Sequence, residues 1–282
     1  MSDASKPKET SYAYGERSQA RMAAKYRDRT NNHWARRISF CKELVAASGR
    51  SPADCVLVDV GCSVGTFAIE FAKLGYRSYG VDFDPAAIRW AKDLAAEEKV
   101  APTFLQMDVA EWGTQGLPKI DVAICFDIFE HLHDDELGEL LQGLRRQLAP
   151  GARVVFSTTP TQFAYMYSGG SAKLAAVRAL VHGLAWLGPK TFPHALRALA
   201  AFVDALLLLS RGGDHRDLIQ REKHCNPLTR ERMESLFLRA GYRFERLETL
   251  DLHPQTERRA AALRKHPICH SHVVGVAVSA TS

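Results

Sequence analysis

The sequence predicts an α/β fold built on a doubly wound, seven-stranded sheet with a helical insert after the fifth strand. Three observations support this prediction. Residues 56–85 have the pattern of strand, glycine-containing turn, helix and strand; apolar runs then alternate with helical periodicity as far as Ser157; and an Ala- and Leu-rich segment interrupts that alternation. Regular alternation of strands and helices is typical of a parallel sheet with helices on both faces.

The first five predicted strands are short apolar or β-branched runs that end at polar or turn residues. They lie at 56–58, 79–81, 104–107, 121–126 and 152–157. Apolar residues at helical spacing predict helices that begin after Gly65, at Pro85 and at about Asp134. Because parallel strands end at the same edge of a sheet, the polar residues that follow these strands are expected to meet there.

The chain of 282 residues divides into four regions. An N-terminal arm with helices occupies 1–48, the core of alternating strands and helices occupies 49–160, the helical insert occupies 161–216, and 217–282 completes the sheet. In this last region we expect a helix at 229–240, strands at 242–247 and 272–278, and a short basic helix at 257–265. The length is sufficient for one large hydrophobic core.

Composition and charge narrow the class of protein. A net charge of +5 and a pI of about 8.9 are only mildly basic, too weak by themselves to indicate nucleic acid, which we do not expect as a partner. The six cysteines form no CxxC pair, so we expect reduced core residues in a cytoplasmic protein. The longest apolar runs fall short of the ~20 residues that cross a bilayer.

The turn after the first strand favours a nucleoside that carries no phosphate. Its spacing is Asp59-x-Gly61-x-Ser63-x-Gly65, and Thr66 stands where a dinucleotide fingerprint has its third glycine. A carboxylate two residues before the first glycine would repel a pyrophosphate and attract a cation. The spacing therefore argues against NAD, although a doubly wound fold that binds another ligand remains the alternative.

S-adenosylmethionine (SAM) suits this turn because it carries an ammonium group, a sulfonium and a ribose diol but no phosphate. Asp59 is expected to bind the ammonium group, directly or through water. Asp82, at the end of the second strand, is expected to accept hydrogen bonds from the two ribose hydroxyls.

With these motifs the chain resembles the class I SAM-dependent methyltransferases, whose sheet is Rossmann-like, over about residues 50–160. Ser63 departs from the commoner glycine of that family. The resemblance implies that the turn holds the methionine end of SAM, that residues after the second and third strands hold ribose and adenine, and that a residue ending the fourth strand lies near the sulfonium. The implied cofactor-binding residues are Asp59, Gly61, Ser63, Gly65, Asp82, Phe83, Asp108, Val109 and Phe126.

The segment after the fourth strand, Asp127-x-x-Glu130-His131, is the candidate chemical centre. If this turn is helical, the spacing puts the three side chains on one side. In one interpretation His131 is the general base for an acceptor hydroxyl and Glu130 orients it. In a second interpretation the three residues hold Mg²⁺. In a third they only fix the loop.

Residues 125–132, CFDIFEHL, are similar to the strand-four segment of the ubiquinone-biosynthesis O-methyltransferases. The Glu-His pair followed by a later histidine is also similar to the small-RNA 2′-O-methyltransferases, whose corresponding residues bind a divalent metal. His224 would be that later partner. Asp127 stands where both families have Glu, so its reach is one methylene shorter.

Two further predictions concern the ends of the chain. The family resemblance implies that N-terminal helices cover the cofactor or line the acceptor site. The candidate lid residues there are Tyr12, Tyr14, Tyr26 and Trp34. Near the other end, Cys269-His270-x-His272 has no upstream partners at metal-ligand spacing, so we interpret its histidines as side chains at a sheet edge.

The composition of the insert suggests how the protein contacts its acceptor and its partners. Residues 171–211 are rich in Ala and Leu and carry five basic residues against a single acid, Asp204, with Gly188-Pro189 and Pro193 separating two helices. An acceptor lid that makes a peripheral membrane contact through 171–211 fits this composition. A lid packed on the domain and a homodimer contact are the alternatives.

We therefore expect a SAM-dependent methyltransferase that transfers a methyl group to a hydroxyl of a small-molecule, lipid or glycan acceptor. Because the sulfonium already activates the methyl group, in-line positioning is expected to supply most of the catalysis. A metal-assisted RNA 2′-O-methyltransferase and a non-catalytic SAM-binding regulatory protein are the alternatives.

Overall fold

The computed structural model of the protein describes residues 15–28, 30, 32–108, 111–112, 116–159, 175–211, 226, 228–250, 263, 266–270 and 272–280. The strands are β1 (Val56–Val60), β2 (Arg77–Asp82), β3 (Thr103–Gln106), β4 (Ile120–Phe126), β5 (Leu148–Thr158), β6 (Tyr242–Leu250) and β7 (His272–Ser279). All seven predicted strands are present, and β5 begins earlier than the sequence predicts.

These strands form one sheet in the order β3-β2-β1-β4-β5-β7-β6. Neighbouring strands from β3 to β5 are parallel, whereas β7 runs antiparallel to both β5 and β6. From β1 the chain adds β2 and β3 on one side and then β4 and β5 on the other side. Ligands of such sheets bind at the carboxyl ends of the strands beside this switch point between β1 and β4. The prediction of a doubly wound, seven-stranded α/β sheet is confirmed.

The helices are α1 (Gly15–Arg27), α2 (Asn32–Ala46), α3 (Thr66–Ala72), α4 (Pro85–Glu97), α5 (Asp134–Gln147), α6 (Ala175–Leu184), α7 (Phe192–Arg211) and α8 (Arg230–Arg239). Local sequence explains where several of them start. Asp84 caps α4 by accepting a hydrogen bond from the backbone NH of Ala86 at 2.8 Å, and the hydroxyl of Thr229 caps α8. The helix α3 ends at Ala72, and Leu74 beyond it is 48% exposed.

The hydrophobic core lies on both faces of the sheet. On one face Phe237 of α8 stacks on Phe156 of β5, with ring centroids 4.9 Å apart, and contacts Phe129 at 5.8 Å. Phe129 is fully buried in the turn that follows β4, so aromatic packing fixes that turn. Four cysteines are buried and free, as predicted: Cys41, Cys55, Cys62 and Cys125.

The insert contributes two helices, as expected, with a small apolar cluster of their own. Phe192 of α7 is fully buried in this cluster together with Leu263, and the ring of His266 stacks on Phe192 at 3.9 Å. The described helices, α7 included, are each too short or too polar to cross a membrane. The helix predicted at 257–265 lies outside the described residues except for Leu263.

Candidate active site

The loop between β1 and α3 follows a path that requires its glycines. Gly61 and Gly65 have φ values of +68° and +77°. A Cβ at Gly61 would lie 2.7 Å from Cδ1 of Ile128, and one at Gly65 would lie 2.7 Å from Cζ of Phe104. Ser63 has φ of +48°, a conformation that costs a residue with a side chain some strain. The contact with Ile128 places this loop directly against the turn that follows β4.

A hydrogen-bond chain from α1 holds Ser63 in place. The hydroxyl of Ser63 donates to Oε1 of Gln19 at 2.9 Å, and Nε2 of Gln19 donates to Oδ2 of Asp84 at 3.1 Å. Gln19 is only 2% exposed. Gln19 belongs to no sequence motif, but it shares one helical face with buried Ala23 and Tyr26, and this periodicity is the signal that could have indicated it.

Two carboxylates lie beside this loop. Buried Asp59 accepts a hydrogen bond from the backbone NH of Ala68 at 3.3 Å, and Asp82 accepts from the backbone NH groups of Ser63 and Asp84 at 2.8 and 2.9 Å. Burial raises the pKa of Asp59 to about 7, and the charge of Asp82 adds to the shift. Removal from water likewise raises the pKa of Asp82 to about 6. A cation or hydroxyl donor bound here would relieve both shifts.

The residues predicted to hold adenine and the sulfonium lie at or just after the carboxyl ends of β2, β3 and β4. Phe83 is 39% exposed, and its carbonyl accepts a hydrogen bond from Gln106 at 3.4 Å. Asp108 follows β3 and is partly buried, whereas Val109 lies outside the described residues. Phe126 ends β4, is 6% exposed and packs against Phe67 with ring centroids 4.9 Å apart.

Asp127 is held by an ion pair that the sequence does not predict. Its φ is +54°, its backbone NH donates to the carbonyl of Ser157 at 2.8 Å, and its carboxylate pairs with the guanidinium of Arg37 from α2. Removal from water opposes ionisation, but the positive charge of Arg37, with smaller contributions from His272 and His131, outweighs it, so the pKa of Asp127 is lowered. Asp127 is therefore a carboxylate with a fixed partner.

Glu130 has the opposite electrostatic environment. It is 1% exposed, and its Oε2 accepts a hydrogen bond from the hydroxyl of Thr158 at 2.7 Å. Burial raises the pKa of Glu130 to about 8, and the charge of Asp127 adds to the shift. Glu130 is thus mainly protonated at neutral pH, while His131, at the end of the same turn, is only partly buried.

The condition of a regular helical turn at the candidate chemical centre is not met. The short 3₁₀ turn contains only Phe129–His131, and Asp127 precedes it in a left-handed conformation. The chain therefore reaches Glu130 and His131 by a different path from the regular i, i+3, i+4 spacing.

The residues present do not fit the predicted Mg²⁺ site. In the part of the chain that the structure describes, no three His, Cys, Asp or Glu side chains are grouped to hold a metal ion. The carboxylate of Asp127 already has a cationic partner in Arg37. His224, the predicted additional ligand, lies outside the described residues. We therefore assign no step to a metal.

His272 belongs to this centre, contrary to the interpretation as a residue at a sheet edge. β7 lies inside the sheet, between β5 and β6, and His272 at its start is 1% exposed. Its charge contributes to the lowered pKa of Asp127. The order of strands brings the start of β7 beside the carboxyl end of β5. The spacing of residues in the sequence does not reveal this order, so it could not place His272 near Asp127.

The predicted lid residues have mixed outcomes. Tyr26 is 3% exposed and its hydroxyl donates to Glu70 at 3.0 Å, so its side chain is part of the packing between α1 and α3. Trp34 is partly buried, with Cζ of Arg37 5.5 Å from its ring centroid. Tyr12 and Tyr14 lie outside the described residues. The contact of α1 with the cofactor loop comes instead from Gln19.

Comparison with known families agrees with this arrangement. Residues 31–247 match the family model described as a methyltransferase domain. The chain belongs to this methyltransferase family. The ubiquinone biosynthesis O-methyltransferase of Alkalilimnicola ehrlichii is 31% identical over 102 residues, which cover 36% of this methyltransferase chain and 40% of that protein. The chain spans about half, or less, of the length of the curated relatives it matches.

Solved structures of other methyltransferases share the fold. The magnesium protoporphyrin IX methyltransferase of Synechocystis PCC 6803 with bound SAH has a TM-score of 0.54 at 17% identity, over 93% of both chains. A SAM-dependent methyltransferase from Clostridium acetobutylicum has a TM-score of 0.57 at 10% identity, over 94% of this chain and 99% of that one. The prediction of a class I SAM-dependent methyltransferase, with SAM as its cofactor, is confirmed at the level of family and fold.

Proposed function

We propose that this methyltransferase transfers the methyl group of SAM to a hydroxyl of a small-molecule, lipid or glycan acceptor. The observation that carries the proposal is the contact between two sites. The glycine loop with Asp59 and Asp82 lies against Ile128, and the neutral acid Glu130 and the imidazole of His131 follow within the same turn. Cofactor and proton acceptor would thus share one cleft edge.

In this proposal the cofactor stabilises the ionised forms of the two buried carboxyl groups, Asp59 and Asp82. The ammonium group of SAM pairs with Asp59 directly or through water, the ribose hydroxyls donate to Asp82, and the loop of Gly61, Ser63 and Gly65 follows the methionine end. Phe83, Asp108 and Val109 border adenine, and Phe126 lies on the sulfonium side. A positive partner favours the ionised form of Asp59, which burial disfavours.

The transfer needs one proton acceptor. The acceptor hydroxyl gives its proton to His131, the oxygen forms a bond to the methyl carbon, and the sulfur–carbon bond breaks with its electron pair remaining on sulfur. Because Glu130 is mainly protonated, it acts as a hydrogen-bond donor that orients the acceptor or the imidazole, and His131 is the base. The partial exposure of His131 lets the proton pass on to solvent.

The hydroxyl and the apolar acceptor have separate support. The curated relatives that the chain matches are named for O-methylation in ubiquinone biosynthesis. In the insert, three large apolar side chains are exposed, namely Leu180 at 56%, Trp186 at 83% and Phe202 at 60%. We propose that α6 and α7 form an acceptor lid that contacts a lipid surface.

The test is formation of SAH from labelled SAM with a panel of phenols, polyprenyl phenols, sugars and amines, using the full chain. We expect transfer to at least one hydroxyl acceptor. His131→Ala should lower kcat about 10²–10⁴-fold at neutral pH with the Kd for SAM unchanged. The matched control is His133→Asn, which keeps a residue able to cap α5. SAM binding without transfer to any acceptor would identify a non-catalytic protein, and product only on amines would contradict O-methylation.

A further inference from the structure

A buried cation occupies the side of the candidate active site where sequence reasoning expects a metal. The side chain of Arg37 is 7% exposed and pairs with Asp127. Its Cζ lies 6.0 Å from the ring centroid of Phe126. We propose that Arg37 supplies the positive charge for the acceptor oxygen and that its Nε–H donates to that oxygen. The inference rests on the proposed function and assigns the role to a residue of α2, outside the motifs that predicted the site.

The unpartnered atoms around Arg37 point to a polar ligand. Nε of Arg37 is buried without a hydrogen-bond partner, and so are Oδ1 of Asp127, Oε1 of Glu130 and Oγ of Ser157. Folded proteins pair nearly all buried polar atoms. The three oxygens belong to residues at or after the carboxyl ends of β4 and β5, and with the nitrogen from α2 they require an explanation. A hydroxyl-bearing acceptor offers lone pairs to the Arg37 Nε–H and a proton to give away.

The ion pair itself supports a functional role. The side chain of Arg37 is 7% exposed and that of Asp127 is 30% exposed, so the arginine is the partner that is largely removed from water. Removing a charge from water often makes an ion pair contribute little to folding stability compared with apolar residues of similar size. An arginine also keeps its charge at any working pH, and a guanidinium fixed by one carboxylate is held for a second hydrogen bond. Arg37 is therefore positioned by Asp127, with Nε–H left for another partner.

The chemical role follows from the charge that develops during transfer. As the acceptor O–H bond gives its proton to His131, negative charge grows on the oxygen that attacks the methyl carbon. A fixed cation beside that oxygen stabilises this charge and lowers the pKa of the hydroxyl. The guanidinium takes no part in the proton transfer, and the electron pair of the broken sulfur–carbon bond remains on the sulfur of SAH.

The test compares Arg37→Met and Arg37→Lys with Arg50→Met, which removes an arginine paired with Asp121 at 2.6 Å at the start of β4. With a hydroxyl acceptor found in the panel, we expect Arg37→Met to lower kcat about 10²–10³-fold. Its kcat–pH profile should move to higher pH because the hydroxyl is less acidic. Arg37→Lys should recover part of the loss, Arg50→Met should keep the wild-type profile, and EDTA should not affect the wild type.

Two results of that experiment would overturn the inference: an Arg37→Met variant with the kcat and pH profile of the wild type, or wild-type activity that EDTA abolishes and Mg²⁺ restores. Calorimetric binding of SAM to every variant separates this failure from loss of folding. If the wild type binds no SAM or transfers no methyl group, the proposed function fails instead.

Discussion

Asp59 shows at the scale of one residue how function opposes stability. Its carboxylate is buried beside Asp82, and its pKa is raised to about 7. The folded state thus keeps a proton that the unfolded chain releases near pH 4, so the free energy of unfolding falls as the pH rises from about 4 to about 7. A bound cation would stabilise the ionised carboxylate of Asp59, so this unfavourable burial is consistent with a role in ligand binding.

We expect Asp59→Asn to separate these two effects. At pH 8 the variant should raise the free energy of unfolding by about 1–3 kcal/mol, because it removes the cost of ionising a buried carboxyl group. It should also weaken SAM binding about 10–100-fold. Denaturant unfolding at pH 5 and pH 8, with calorimetry, measures both. The exposed Asp93→Asn is the control, and unchanged SAM affinity in Asp59→Asn would contradict the assignment.

Residues of the site differ in how far the sequence could predict them. Asp59, Gly61 and Asp82 could be predicted because strand, turn and helix follow one another in the chain, so spacing alone places them. Arg37 and His272 could not, because α2 and β7 reach the centre only through tertiary packing. The raised pKa of Glu130 is also a product of packing, since burial is its main cause.

At the scale of elements, α1 is tied to the cofactor loop by Gln19. We expect Gln19→Leu to weaken SAM binding about tenfold, because Ser63 then loses the hydrogen bond that compensates its left-handed conformation. Ser63→Gly should weaken SAM binding less than Gln19→Leu does. In the Ser63→Gly background, the further loss of SAM affinity caused by Gln19→Leu should be smaller than in the wild type. Calorimetric titration with SAM measures all three variants.

The control for this prediction is Glu16→Gln. Glu16 also joins α1 to α4, through Arg89 and Trp90, but it is exposed and does not touch the loop. We expect this variant to bind SAM as the wild type does. Equal loss of affinity in Glu16→Gln and Gln19→Leu would show that α1 acts only through general packing.

Most elements were predictable from periodicity, and the exceptions have physical reasons. Strands and helices of the core follow apolar periods of two and 3.6 residues, which the chain itself encodes. The turn at Asp127 departs from the expected helix because an ion pair and a backbone bond to Ser157 hold its left-handed conformation. Such contacts come from residues distant in sequence, so local patterns do not contain them.

At the scale of the whole molecule, the insert is expected to bring the protein to anionic membranes. Trp186 is 83% exposed, and Lys190 and Arg197 are exposed in the same helical pair. We expect binding to phosphatidylglycerol vesicles but not to phosphatidylcholine vesicles, with a blue shift of tryptophan fluorescence and weakening by salt. Trp186→Ala should lower vesicle affinity about tenfold.

Leu238→Ala is the matched control, since Leu238 is 55% exposed on α8, outside the insert. It should bind vesicles as the wild type does. Light scattering decides the main alternative: a dimer that Trp186→Ala dissociates, together with no vesicle binding, would assign the exposed side chains to contact between two copies of the chain.

Among the seven strands, β7 is synthesised last but does not lie at an edge of the sheet. β6 leaves the ribosome before β7, yet β7 lies between β6 and β5. During synthesis β5 therefore presents an open edge with unpaired backbone groups, and β6 has no strand to join. Open edges recruit strands from other chains. A polypeptide arrested between residues 250 and 272 is therefore expected to aggregate, and a chaperone that shields β5 until His272–Ser279 emerges should increase the yield of folded protein.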